Sequence, residues 1–154
     1  MSNDSANYSV DSREVINLFK DLDYKNQKKS YKQALRKSAN ILAREARKQL
    51  KQKMGNSANR KTTKYGPLIK GIKAKVARSA KSAKVHIMGD FRLKFFELGT
   101  APRYLRRKHN FAYRGKITAN HFFKSARQNK EQAAKDSLIS NLEESIRKIN
   151  AKHR

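Results

Sequence analysis

Glu97 stands alone as an acid in a long basic tract, four histidines are scattered along the chain, and arginines crowd aromatic rings between residues 103 and 114. Each group suggests a chemistry. General acid or base catalysis needs a second positioned group, and Glu97 has none near it. Its expected role is an ion pair with a neighbouring Arg or Lys, or a contact between subunits. His86, His109, His121 and His153 show no short ligand spacing. With no cysteine in the chain, thiolate metal sites, disulfides and thiol nucleophiles drop out. No Gly-x-Ser-x-Gly elbow, phosphate-cradling glycine loop or Ser/His/Asp arrangement can be picked out. The expectation is a protein without catalytic residues, metal or cofactor.

Binding chemistry is better represented. Arg103, Arg106, Arg107, Lys108 and Arg114 lie among Tyr104, Phe111 and Tyr113, where a phosphate or an acidic protein surface would find both charge and aromatic faces. Arg60, Lys61 and Lys64 form a second basic cluster. The chain has 38 Lys and Arg against 12 Asp and Glu, a formal +26, and residues 46 to 130 hold 24 of those cations with only Asp90 and Glu97 as acids. A field of that size meets nucleic acid, an acidic protein ring or counterions alone. Phe91, Phe95, Phe96, Phe122 and Phe123 suit base stacking by type. Their periodicity assigns most of them instead to a core between a sheet and the last helix.

The elements that carry these groups follow from the apolar pattern. With 37% hydrophobic residues and no Trp in 154, the chain suits one domain with a modest core, stabilised in part by neighbours. Residues 1 to 10 read as a flexible arm, and 11 to 154 as a single domain. Asp11-Ser12-Arg13-Glu14 has capping-box spacing ahead of a short helix with Val15, Ile16, Phe19 and Leu22, ending near Asp23. From Lys28 to Met54, Tyr31, Leu35, Ala39, Leu42, Ala46 and Leu50 recur at the spacing of an amphipathic helix. Residues 55 to 67 read as a mobile loop.

Two strands follow, Ile72 to Val76 and Val85 to Ile87, around a basic tip at Arg78 to Ala83. Phe91, Leu93 and Phe95 alternate as a third strand ending at Gly99, with a local helix over Phe91 to Leu98 as the alternative. Gly99 is expected to supply a backbone conformation or close approach that a side chain would prevent. Residues 100 to 115 read as a second mobile loop, and Lys116 to Thr118 as a short fourth strand. Asn120 is placed to cap a last helix carrying Phe122, Phe123 and Ala126, then Leu138, Leu142, Ile146 and Ile149. At about 45 Å for roughly thirty residues, that helix calls for a kink near Gln128 to Lys130 or an intersubunit contact.

The order is that of an α+β protein: a small antiparallel sheet of three or four strands packed against a long N-terminal-half helix and a long C-terminal helix. No apolar run approaches the roughly 18 residues that cross a bilayer. Residues 1 to 8 lack the layout of a secretion signal. No membrane association and a soluble, intracellular protein are expected.

Two segments carry a resemblance. Phe95-Phe96-Glu97-Leu98-Gly99-Thr100, followed about twenty residues later by Ala119-Asn120-His121-Phe122-Phe123-Lys124-Ser125-Ala126, resembles the tail-completion, or head-to-tail joining, family of long-tailed bacteriophages. That family usually reads Glu-Phe-Gly-Thr and then Ala-x-Pro-Phe-Leu-x-x-Ala. The corresponding positions here are Phe96, Glu97, Leu98, Gly99, Thr100, Ala119, Phe122, Phe123 and Ala126. Leu98 replaces the aromatic, His121 stands at the proline, and the loop between is unusually basic. The order of elements over residues 12 to 130 is also similar.

The resemblance implies a non-enzymatic virion protein of the neck or tail, assembled in the host cytoplasm. It implies a homo-oligomeric ring, six copies by the family's pattern, between the head connector and the tail tube or tail terminator. The channel of such a ring passes double-stranded DNA, with weak phosphate contact. Loops 55 to 67 and 100 to 115 would dock on neighbouring rings, and the arm and last helix would strap subunits together. Two other classes stay open: a basic protein that grips nucleic acid without reading sequence, and a small basic ribonuclease toxin.

Overall fold

A computed structural model describes residues 7–8, 24–61, 66–107 and 110–152. Apart from Asn7 and Tyr8, the expected arm and first helix lie outside these residues. The elements are β1 (Asn7–Tyr8), α1 (Tyr24–Met54), β2 (Lys73–Val76), β3 (Ala83–His86), α2 (Arg92–Leu98), β4 (Tyr104–Arg107), β5 (Asn110–Tyr113) and α3 (Phe122–Lys152). Two long helices with small antiparallel sheets make an α+β protein, as the pattern predicts. The described residues form two compact units, one of 24–45, 74–86 and 129–152 with β1, the other of 46–73 and 87–128.

In the first unit, the three-to-four spacing on α1 buries Ala34, Leu35, Ala39, Leu42 and Ala43, and the later part of α3 buries Ala134, Leu138, Leu142 and Ile146. Ser38 is fully buried in the α1 stripe, and its Oγ donates to the Ala134 carbonyl at 2.6 Å. A hydroxyl that reaches a backbone carbonyl across two helices requires close approach, which the small side chains permit. Lys37 Nζ donates to Asn141 Oδ1 at 2.6 Å farther along the same pair. Tyr31 is half-buried on α1, and burial raises its phenol above the ordinary value.

The expected hairpin is present. β2 and β3 are joined by a turn in which Ala77 N–H donates to Ser82 O at 2.9 Å and Ala80 N–H to Ala77 O at 3.0 Å. Ala83 and Val85 face inward while Lys84 is exposed, the alternation of a half-buried strand. β1 adds two residues to the free edge of β3, with Asn7 opposite Lys84 and Tyr8 opposite Ala83.

In the second unit, Ala46 and Leu50 from the end of α1 are buried with Ala58, Leu68, Ile72, Leu93, Phe122 and Ala126. Arg47 Nη2 donates to Ile72 O at 2.7 Å, and Lys53 Nζ donates to the Asn120 carbonyl. Gly89 N–H donates to Gly71 O at 3.1 Å. A Cβ on Gly71 would lie 2.6 Å from Asp90 Cβ, and one on Gly89 would lie 2.5 Å from Gly71 O. The two backbones approach that closely because neither residue has a side chain.

The structure corrects four expectations. The predicted strand at Phe91 to Phe95 is α2, because Asp90 Oδ1 accepts the Arg92 N–H at 3.0 Å and Gly99 closes the other end. Leu93 and Glu97, four apart, are its buried positions. The predicted loop at 100 to 115 holds the β4–β5 hairpin, paired Tyr104 with Tyr113 through Arg107 with Asn110. Lys116 to Thr118 forms no strand. The predicted loop at 55 to 67 opens with a 3-10 turn, Gly55–Asn59, anchored by buried Ala58, and a second turn, Leu68–Gly71, follows it.

Candidate functional site

The two sequence segments singled out above meet in one joint within the second unit. Glu97 projects from α2 toward the first turn of α3, where Oε2 accepts the Phe123 N–H at 2.8 Å and Oε1 accepts the Lys124 N–H at 3.0 Å. Asn120 Oδ1 takes the Phe122 N–H at 3.3 Å. The next N–H, of Ser125, bonds to His121 O at 3.0 Å. Thus the N–H groups that a helix start leaves without partners are all satisfied. The carboxylate also meets the positive end of the helix dipole.

Glu97 is 8% exposed, so these bonds operate away from water, where a buried charge without partners would be costly. The expected ion pair or intersubunit role is therefore replaced by capping. Backbone bonds tighten the joint: Asn120 N–H to Phe96 O at 2.9 Å, His121 N–H to Glu97 O at 3.3 Å, and Thr100 N–H to Ile117 O at 2.9 Å. Thr100 Oγ1 accepts the Ile117 N–H at 2.9 Å.

Gly99 has φ +75° and ψ −177°, a region essentially reserved for glycine. A Cβ there would stand 2.9 Å from both Ala119 N and Ile117 O. Both the conformation and the close approach expected of Gly99 are present. His121, at φ +48° and exposed, adopts a backbone that proline's ring forbids. A proline would also lose the bond to Glu97 O. Phe122 and Ala126 are buried, Phe96, Phe123 and Ala119 are half-buried, and Leu98 is 61% exposed.

The residues picked for partner contact lie on or beside the β4–β5 hairpin. Tyr104 and Tyr113 oppose each other across it with ring centroids 5.6 Å apart, each 58% exposed. Arg103 and Arg114 follow at the base, both exposed. There Arg114 N–H donates to Arg103 O at 2.7 Å while Arg103 N–H donates to Gly115 O at 3.0 Å. Two residues of one strand thus answer one of the other, the arrangement of a β-bulge, which increases local twist. The register sets Arg106 opposite Phe111 and Arg107 opposite Asn110. Lys108 lies outside the described residues, as does Lys64 of the other basic cluster. Arg60 and Lys61 are exposed just after the Gly55–Asn59 turn.

An open cleft of about 550 Å³ is lined by Arg47, Pro67, Ile69, Lys70, Ile72 and Asp90, among others. Two of its four charged residues are engaged, Arg47 with Ile72 O and Asp90 with Arg92 at 2.6 Å, while Lys70 and Lys73 are exposed. The Arg92 guanidinium holds the Asp90 carboxyl below its ordinary 3.8. Among the described residues, no three His, Asp or Glu side chains gather as metal ligands, and no helix is long and apolar enough to cross a membrane.

No family model, curated protein or solved structure matches the chain. Sequence reasoning did not anticipate the capping role of Glu97 or the Asp90–Arg92 pair. The first depends on a helix start 26 residues away. The second had a local signal, since Asp90 stands just ahead of the apolar-periodic run Phe91, Phe95 and Leu98, the place of a helix-start residue.

Proposed function

We propose that this chain is a non-enzymatic structural protein of a bacteriophage neck, a ring-forming component that joins the head connector to the tail tube or terminator and lets DNA pass. The observation that carries this reading is the joint between Phe96 to Thr100 and Ala119 to Ala126. The residues that resemble the tail-completion family act together, as a cap and a backbone clasp, rather than being scattered coincidences. Their work is architectural, as assembly requires. The β4–β5 hairpin, with exposed tyrosines and basic flanks, is then the docking element for an acidic surface on a neighbouring ring. Mass spectrometry across a density gradient of a producing lysate tests the proposal. Banding with particles at a fixed ratio to the portal, near six copies per particle if the family's pattern holds, is expected. Absence from particles would remove it.

One observation favours a second reading, a sequence-independent nucleic-acid-binding protein. Tyr104 and Tyr113 offer exposed aromatic faces beside Arg103 and Arg114, the pairing of stacking and phosphate contact used by single-strand binders. It predicts tight binding at physiological salt that weakens steeply as salt rises. Neutralising Arg106, Arg107 and Lys108 would weaken binding to every sequence alike.

A further inference from the structure

We infer that the exposed face of α1 between Lys25 and Arg44 is a contact for the phosphate backbone of a nucleic-acid duplex. The contact goes beyond both readings above, since it lies on a different element from the β4–β5 hairpin and needs neither a ring nor stacked bases. Residues 24 to 45 hold seven Lys and Arg and a single acid, Glu45, which is 8% exposed. From 25 to 45 the exposed positions are five cations with Asn26 and Gln33, and none is apolar, acidic or aromatic. Lys25, Lys29, Arg36 and Arg44, with half-buried Lys32 among them, fall within about a third of the helix circumference. Lys37 marks one edge of the face, where its Nζ reaches Asn141 of α3. From Lys25 to Arg44 the row is about 28 Å long at 1.5 Å per residue, most of one turn of a DNA duplex, about 34 Å.

The composition of the face identifies the occupant. α3, the other long helix of the same unit, carries both signs there: Glu131 pairs with Lys135 at 3.2 Å and Glu144 with Lys148 at 2.5 Å, each i to i+4, the pattern of a helix that meets only solvent. On α1 the like charges Lys25 and Lys29, and Lys32 and Arg36, stand four apart and repel. Lys25 also sits in the first turn, where no acid is present and the helix dipole disfavours a cation. A polyanion relieves both costs on contact. Protein interfaces have an apolar or aromatic centre depleted of charge, and this face has no exposed apolar side chain. Single-strand binders stack bases on aromatic rings, whereas Tyr31 is half-buried on the other side of the helix. A membrane-surface helix inserts its apolar side, and that of α1 is buried in the core of its unit. A duplex asks only for a row of cations, since it displays one phosphate charge per about 1.7 Å of axis and releases counterions as Lys and Arg replace them.

The experiment is fluorescence anisotropy of the purified full-length chain on a labelled DNA duplex of arbitrary sequence, repeated at rising NaCl. Wild type is compared with Lys25→Gln/Lys29→Gln/Arg36→Gln/Arg44→Gln, which alters exposed residues only and keeps good helix formers. The control is Lys75→Gln/Arg78→Gln/Lys81→Gln/Lys84→Gln, the same change in charge at exposed positions of the β2–β3 hairpin in the same unit. Far-UV circular dichroism verifies that each variant keeps its helices, and Lys29→Gln/Arg36→Gln provides a milder change with half the effect. The slope of log affinity against log salt should become shallower by about 3 to 4 in the α1 variant, roughly 0.9 for each phosphate contact removed, and should change little in the control. A single strand of the same sequence should bind more weakly than the duplex. A wild type that does not bind duplex at low salt would overturn the inference. So would an α1 variant with the wild-type slope, or equal losses in the α1 variant and the control, which would mean that net charge alone acts. Preference for the single strand would move the contact to the hairpin, and displacement of the duplex by poly-glutamate at equal charge would assign the face to an acidic protein; either overturns it. Absence from particles removes the neck reading and leaves this contact, while loss of this contact leaves the neck reading standing.

Discussion

Glu97 exerts its influence through two backbone N–H groups rather than through another charge, and this changes what its removal should do. Glu97→Ala leaves two buried donors of α3 without acceptors and is expected to cost about 2–4 kcal/mol, each orphaned donor contributing roughly 1–2. Glu97→Gln keeps an acceptor for one of them and should lose about half as much. Denaturant melts of the three proteins check this ordering, and equal losses would mean that the negative charge alone matters. Gly99→Ala forces a Cβ against Ala119 and Ile117 at a φ of +75°, and should destabilise by about 2 kcal/mol or more. Asp90 provides a pH signature. Its carboxyl titrates below 3.8 when folded because of Arg92, so the stability it adds is complete above pH 4 and is lost as pH falls through the folded value. The melting temperature of wild type should exceed that of Asp90→Asn at neutral pH, with the gap closing below pH 4. A gap that stays constant into acid would show that the pair contributes nothing.

At the level of elements, the two long helices were readable because the apolar recurrence from Leu35 to Leu50 and from Leu138 to Ile146 fits one period only. Phe91, Leu93 and Phe95 fit two. Alternation over five residues matches a strand, while Phe91, Phe95 and Leu98 match a helix, and so short a run leaves the choice to its ends. Asp90 and Gly99 made it a helix. The β4–β5 hairpin was hidden for a different reason: Arg106 and Arg107 lack the alternation of a half-buried strand, since Tyr104 and Tyr113 in the same ribbon are largely exposed. Close contact between α1 and α3 around Ser38 yields a further prediction. Ser38→Leu overfills the space beside Ala134 and should cost roughly 1–3 kcal/mol, while Ser38→Ala loses one buried hydrogen bond, about 1 kcal/mol. If leucine is tolerated as well as alanine in thermal melts, the helices are not packed that closely.

For the whole molecule, the dominant quantity is the formal +26. Self-repulsion of that size opposes compaction, so the free protein should melt several degrees higher at about 0.5 M NaCl than at about 0.02 M, as the Debye length shrinks. A melting temperature indifferent to salt would mean that the charges are already dispersed too widely to interact.

Composition and periodicity alone settled the α+β class, both long helices, the β2–β3 hairpin and the placement of most cations outside the core. Each depends on a regular pattern of residue types, and the physics behind that pattern is local. Tertiary structure settled the rest. It alone brought Glu97 to the start of a helix 26 residues onward, turned the aromatic stretch before Gly99 outward on α2, and made the basic loop a ribbon. In each case the deciding interaction is between groups far apart in the chain, or between a short segment and the surface it meets, and spacing along a sequence does not record such contacts.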